Sequence, residues 1–277
     1  MKSVLIKLIV TDLDGTLLDD QKNIPPQNVF ALRKAMEKGI HVSIATGRNY
    51  YSAKRYIDEL GLDVPVILQN GAFIYMPLEN KVLYESLLES AIAKDLINYA
   101  RKFELDYILY SYFLDEIDMY MDKEHNGGFV TYIKQNSWRI RYVDDVLRYI
   151  SREKVAQVVL IGDESKIWYI NDIIKQKYPG KYSVVKSTVV DGWSFIEFFG
   201  PGSSKEEAVA FLMNYFNVKS EETMFLGDGY NDLGAMKLVG FPVAVDNACA
   251  EVKETSRFVT LSNNEGGVAF AIEKFVL

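Results

Sequence analysis

The sequence predicts an α/β protein in which a doubly wound parallel sheet is interrupted by an inserted α+β unit. Three observations predict it. Short apolar, β-branched runs alternate with amphipathic segments at both ends of the chain; these runs end in polar or glycine-containing loops; and the rhythm gives way in the middle third to alternating strands. A chain of 277 residues leaves room for a core plus an insertion.

Residues 4–10 form an apolar run read as a buried first strand. Met1-Lys2-Ser3 ahead of it faintly imitates a secretory leader, but Lys7 interrupts the run and Asp12 and Asp14 follow at once. Pro25-Pro26 opens a helix with Val29, Leu32 and Met36 at helical spacing and Gly39 as its stop. Residues 40–45 are the next strand, 50–60 the next helix, ended by Gly61, and 64–68 a third strand. Residues 86–103 read as an amphipathic helix, but 107–110 and 116–121 alternate like a hairpin, and 183–190 with 194–199 suggest another around Asp191-Gly192. From residue 204 the first rhythm returns, with a helix to 216, a strand at 223–226, a helix to 239, a strand at 242–245 and a last unit to Leu277. The expected division is a discontinuous core of residues 1–84 and 200–277 around an insertion of residues 85–199.

Hydrophobic residues make up 49% and charged residues 25%, values that exclude a largely disordered chain. A net charge of −7 makes nucleic acid a poor partner. It opposes an anionic substrate as well, unless a local cation or helix N-terminus draws one in. One cysteine, Cys249, excludes an internal disulfide and a thiolate zinc cluster, and His41 and His125 are too widely separated in sequence for a histidine-rich metal site. Metal chemistry must then use oxygen ligands. No run approaches the roughly 20 apolar residues of a membrane span, so no membrane partner is expected and a cytoplasmic location is.

The first strand delivers Asp12-Leu13-Asp14-Gly15-Thr16 to its C-terminal end, where open α/β sheets bind ligands. Two carboxylates one residue apart demand a cation or a shared proton, and magnesium, with its preference for a few hard oxygens, fits. A simple capping turn is the alternative. An EF-hand fails on spacing, because Gly15 is the fourth residue from Asp12 where the sixth is needed, and the twelfth is Asn23. Gly227-Asp228-Gly229-Tyr230-Asn231-Asp232 follows another short strand; alone it could be a helix N-cap. Between the two clusters lie Thr46-Gly47-Arg48 at a strand end and Ser203-Ser204-Lys205 at a helix start. Hydroxyls, a lysine and helix N-terminal amides are the groups that hold a phosphate. Lys205 alone could equally be a solvated surface charge.

The ordered set Asp12-Leu-Asp-Gly-Thr-Leu, Ala45-Thr-Gly-Arg, Asn70-Gly-Ala, Lys205 and Gly227-Asp-Gly-Tyr-Asn-Asp resembles the haloacid dehalogenase-like superfamily, and within it the Cof-type phosphatases with a type IIB cap. The tail, with Asn247-Ala248, Glu251-Val252-Lys253-Glu254 and Asn264-Glu-Gly-Gly-Val268, shares the likeness. The resemblance implies a phosphatase acting on a small phosphorylated metabolite, a sugar phosphate or a phosphorylated cofactor. Asp12 would be the nucleophile that becomes an aspartyl phosphate and Asp14 the general acid and base. Mg2+ would be held by Asp12, Asp228 and the main-chain carbonyl of Asp14, and the phosphoryl group by Thr46, Lys205 and Asn231 with amides at Leu13 and Gly47. Asp232 would orient Lys205 or a metal-bound water. Two positions depart from the family pattern: Glu206 stands where glycine is usual after the motif lysine, and Gly234 where proline is common.

The resemblance also implies that the insertion selects the leaving group. Tyr107, Tyr110, Tyr112, Tyr120, Trp138 and Trp193 could stack on a substrate ring, though aromatic residues on strands more often pack hairpins. His125-Asn126-Gly127-Gly128 could form a substrate loop or only a turn, and Arg48 and Asn70 at the core rim are the better candidates for substrate contact. A sugar phosphomutase using the same phospho-aspartate, or a signalling module phosphorylated on aspartate, are the competing readings.

Overall fold

The computed structural model describes residues 5–125, 127–150 and 154–277. Val4, at the head of the expected first strand, the leader-like Met1-Lys2-Ser3 and Asn126 of the candidate loop lie outside the described residues.

Strand β1 (Leu8–Thr11) is buried throughout. Helix α1 (Pro26–Glu37) starts at the proline pair, where a missing N–H costs nothing, and buries Asn28, Ala31, Leu32 and Ala35. Strand β2 (His41–Ile44) leads to α2 (Tyr50–Leu60), capped by Asn49, which accepts from the Ser52 amide, and closed by Gly61. The third strand, β3 (Val66–Leu68), meets the parallel sheet only through a single parallel bridge, Ile67 to Ala45 beyond β2, and joins β4 (Phe73–Met76) and β5 (Lys81–Glu85) in an antiparallel sheet. The cause is a tight reversal at Gln69-Asn70-Gly71, with φ of 43°, 53° and 92°. Gly71 is required there, since a Cβ would lie 2.1 Å from the Ser204 carbonyl oxygen.

A second compact unit, Ser86–Ser203, follows. It contains α3 (Ser90–Lys102), β6 (Asp106–Tyr110), β7 (Met119–Met121), α4 (Val130–Gln135), β8 (Ile140–Tyr142), β9 (Gln157–Gly162), α5 (Glu164–Lys177), β10 (Ser183–Val190) and β11 (Trp193–Phe199). The two foreseen hairpins form, β6 with β7 and β10 with β11. Between them lies β9, antiparallel to both β11 and β6 in the order β10-β11-β9-β6-β7-β8. It escaped the sequence reading because all its residues are buried, which erases the alternation that marks a half-exposed strand. Ile92, Leu96, Ile167 and Ile170 of α3 and α5 pack on Leu109, Val158, Leu160 and Ile196 of the sheet.

The remaining elements complete the first unit, Met1–Glu85 with Ser204–Leu277. They are α6 (Lys205–Tyr215), β12 (Thr223–Gly227), α7 (Leu233–Leu238), β13 (Phe241–Ala244), α8 (Ala250–Thr255), β14 (Phe258–Val259) and α9 (Gly267–Phe275). Among the described residues the core sheet runs β14-β13-β12-β1-β2, parallel throughout. Leu8, Val10 and Phe225 pack with Val209, Leu212 and Met236 of α6 and α7, while α1 packs on α9. The chain leaves β1 toward β2 on one side and returns to β12 on the other, so β1 and β12 flank the topological switch point where such sheets bind ligands. Thr11 is in register with both Leu226 and Ile44, which brings the loops after β1, β12 and β2 together. No described helix is long and apolar enough to cross a membrane.

Candidate active site

Asp12 is the first residue beyond β1, and its amide donates to the Leu226 carbonyl at 2.9 Å. Its carboxylate is buried, with Lys205 Nζ 2.8 Å from Oδ1. Lys205, the first residue of α6 and itself fully buried, also donates to Asp232 Oδ1 at 2.6 Å. Asp232 Oδ2 in turn accepts from the amides of Asp228 and Gly229, each at 3.0 Å. One ammonium therefore joins two loops. Burial opposes the Lys205 charge, but the paired Asp12 and Asp232 outweigh it and hold the pKa above the usual lysine value.

Burial pushes Asp12 well above the ordinary carboxylate range, and the negative charges of Asp232 and Asp228 add to it while Lys205 offsets part. Asp228 is pushed up to about 6, chiefly by burial and then by Asp232. Thr16, quoted within the first motif but given no role by sequence reasoning, donates to Asp228 Oδ1 at 2.7 Å. Gly15 packs against the same carboxylate: a Cβ there would lie 2.5 Å from Asp228 Oδ2.

Ligand oxygens of Asp12, Asp228 and Asp232 lie within 4.8 Å of one another. Asp232 is committed on both oxygens to Lys205 and two amides, which leaves Asp12 and Asp228 as the acids whose mutual repulsion a cation would relieve. An all-oxygen donor set of this kind fits Mg2+.

Asp14 turns the other way. Arg48 donates to it through Nε at 2.6 Å and Nη2 at 2.7 Å, and Lys22 through Nζ at 2.9 Å. Burial opposes the Asp14 charge, yet these cations prevail and bring its pKa down to about 2. Arg48 also donates to the Ser52 carbonyl at 3.3 Å and lies over the Tyr56 ring. The residue read as a substrate contact is thus engaged with Asp14.

Three of the candidates, Thr46, Asn70 and Asn231, are joined by hydrogen bonds. Thr46 is buried; its amide donates to the Ile67 carbonyl at 3.0 Å and its Oγ1 accepts from the Arg48 amide at 3.1 Å. Asn70 is buried, its amide bonded to the Thr46 carbonyl and its Oδ1 accepting from Asn231 Nδ2 at 2.9 Å. Gly47 lies against the Asn70 side chain. Leu13 is buried, and its carbonyl accepts the amides of Thr16, Leu17 and Leu18. In the second unit Tyr107, Tyr110 and Tyr120 are buried as sheet packing, and Tyr110 pairs with Tyr132 through their hydroxyls at 2.9 Å. Trp138 is exposed. Trp193 packs edge-on against His125, and Gly127 and Gly128 lie against its ring.

A model of the haloacid dehalogenase-like hydrolases matches residues 9–272. The 5-amino-6-(5-phospho-D-ribitylamino)uracil phosphatase YitU of Bacillus subtilis is 27% identical over 275 residues, covering 97% of this chain and 97% of its own. The crystal structure of a haloacid dehalogenase-like hydrolase from Bacteroides thetaiotaomicron shares 30% identity with a TM-score of 0.81, covering 97% of this chain and 99% of its own. A sugar phosphatase of subclass IIB of the same superfamily has the same fold, with a TM-score of 0.79 at 23% identity over 97% of this chain and 98% of its own.

Proposed function

Because the chain belongs to the haloacid dehalogenase-like hydrolase family, we propose that it is a magnesium-dependent cytoplasmic phosphatase that dephosphorylates small metabolites through an aspartyl phosphate on Asp12. The observation that carries this reading is the environment of Asp12, a carboxylate buried at the end of a central strand with Lys205 Nζ 2.8 Å from one oxygen and Asp228 beside it. Once a cation beside Asp228 offsets the burial that raises its pKa, the Asp12 carboxylate next to Lys205 is placed for nucleophilic attack on a phosphoryl group, whose oxygens the ammonium then stabilises.

In the first half-reaction an Asp12 oxygen forms a bond to phosphorus as the bond to the leaving oxygen breaks, and Asp14, protonated once it is released from the Arg48 and Lys22 cations that hold its pKa at about 2, gives that oxygen a proton. In the second, Asp14 takes a proton from the water that attacks phosphorus, which releases inorganic phosphate and restores the Asp12 carboxylate. Lys205, Thr46 and Asn231 hold the phosphoryl oxygens with the amides of Leu13 and Gly47, and Asp232 keeps Lys205 in place. Magnesium, held by the carboxylates of Asp12 and Asp228 and the Asp14 main-chain carbonyl, would supply charge neutralisation for the transferring group. A sugar phosphate or a phosphorylated cofactor is the substrate class, in keeping with the names of YitU and the subclass IIB sugar phosphatase.

The test is phosphate release from a panel of sugar phosphates, nucleotides and phosphorylated cofactors, with and without magnesium, with Asp12→Asn as the control. Magnesium-dependent release that the variant abolishes supports the hydrolase. Stable phosphorylation of Asp12 without release would overturn it in favour of a mutase or a signalling module.

A further inference from the structure

The tail motifs around Asn247 and Asn264 carry no part of the chemistry above, yet their neighbourhood is tied to the loop that does. Three side-chain amides, from three separate parts of the chain, donate to backbone carbonyls of that loop. Asn247 Nδ2 donates to the Gly15 carbonyl at 2.7 Å, Asn28 Nδ2 to Leu17 at 3.2 Å and Asn263 Nδ2 to Leu18 at 2.9 Å. Two of the donors are themselves fixed by their oxygens: Asn247 Oδ1 accepts the Asn263 amide at 2.9 Å, and Asn28 Oδ1 accepts the Ala269 amide of α9 at 2.9 Å. Asn28 and Asn263 are buried, so their amides were taken from water to make these contacts. A turn that only had to close could do so with its own backbone bonds, and this one already does, through the Leu13 carbonyl.

We propose that Asn247, Asn28 and Asn263 are positioning residues, an amide clamp by which α1 and the C-terminal segment together hold the catalytic loop. The loop carries Asp14 and, two residues on, Thr16, whose hydroxyl meets Asp228 at 2.7 Å. A slip of the Gly15 carbonyl away from Asn247 moves both groups relative to Asp12, and misplacement by about 1 Å is enough to cost on the order of a hundredfold in rate. This inference rests on the reading of Asp12 to Thr16 as the catalytic loop.

Asn247 is exposed, so Asn247→Ala removes one arm of the clamp without opening the core. With p-nitrophenyl phosphate as probe and saturating magnesium, kcat is expected to fall about tenfold or more while KM stays within about twofold. The effect should be non-additive with Thr16→Val, because both act through the placement of one loop. Wild-type kcat in Asn247→Ala, or losses that multiply in the double variant, would overturn the clamp. Hydrogen exchange at the amides of Thr16, Leu17 and Leu18 reads the clamp without turnover. If the wild-type protein leaves the probe uncleaved, faster exchange in Asn247→Ala still supports the clamp while the hydrolase reading fails, and unchanged exchange overturns the clamp itself.

Discussion

Arg48 grips Asp14 with two parallel hydrogen bonds, Nε to Oδ2 at 2.6 Å and Nη2 to Oδ1 at 2.7 Å. A planar guanidinium makes that fork and an ammonium does not. Arg48→Lys is therefore expected to lower kcat/KM by about tenfold or more even though the charge is kept. Stability gives a second readout. The Asp14 pKa of about 2 lies below its ordinary 3.8, so the pairing stabilises the fold above pH 4 and is lost as pH falls from about 4 to about 2. The melting temperatures of wild type and Arg48→Ala, measured metal-free, should therefore converge across that window. A constant gap would show that the ion pair is not what separates them.

Lys205 is buried between two carboxylates, and removing it strands them. Lys205→Met should destabilise the protein by about 3–5 kcal/mol in urea unfolding, the usual cost of orphaning a buried charge. Protonation of a stranded acid relieves part of that cost, so the deficit should be smaller at pH 5 than at pH 8. An equal deficit at both would mean that Asp12 and Asp232 find other partners.

Metal binding should release protons. Asp228 has a folded pKa of about 6 against an ordinary 3.8. Its contribution to metal-free stability is present below pH 3.8 and lost as pH rises through about 6, where the buried anion must form. A cation that pairs with the anion reverses that loss. The gain in melting temperature from magnesium should thus be larger at pH 7 than at pH 5, and calorimetry near pH 6 in buffers of different ionisation enthalpy should register proton release. A pH-independent gain would place the metal away from Asp228.

Much of the core was legible because local signals agree with tertiary roles. The proline pair starts α1, Gly61 closes α2, and each motif acid follows a short apolar strand. What stayed hidden depends on partners far away in sequence. Thr16 meets Asp228, Asn263 meets Leu18, and nothing in the residues near either member announces the pairing. Arg48 was visible as a functional cation, but its engagement with Asp14 follows from α2 starting just beyond it and the β1 loop lying alongside. The Gln69-Asn70-Gly71 reversal hid for another reason: two of its left-handed residues are not glycine, so composition alone does not mark them.

The two departures from the family pattern, Glu206 and Gly234, turn out to face each other. A Cβ at Gly234 would lie 2.6 Å from Glu206 Oε2 and 3.0 Å from its Cβ. The Glu206 side chain occupies the space a side chain at position 234 would need. Replacing Gly234 by alanine should gain about 1 kcal/mol of helix propensity, and although the exposed Glu206 carboxylate can swing aside, the Glu206 Cβ at 3.0 Å cannot, so overpacking there offsets about as much or more. Gly234→Ala is thus expected to be near neutral or mildly destabilising alone, and stabilising by about 1 kcal/mol in a Glu206→Gly background. A double-mutant cycle in urea measures the coupling. Additivity within about 0.3 kcal/mol would mean that the two positions vary independently and that their proximity has no energetic content.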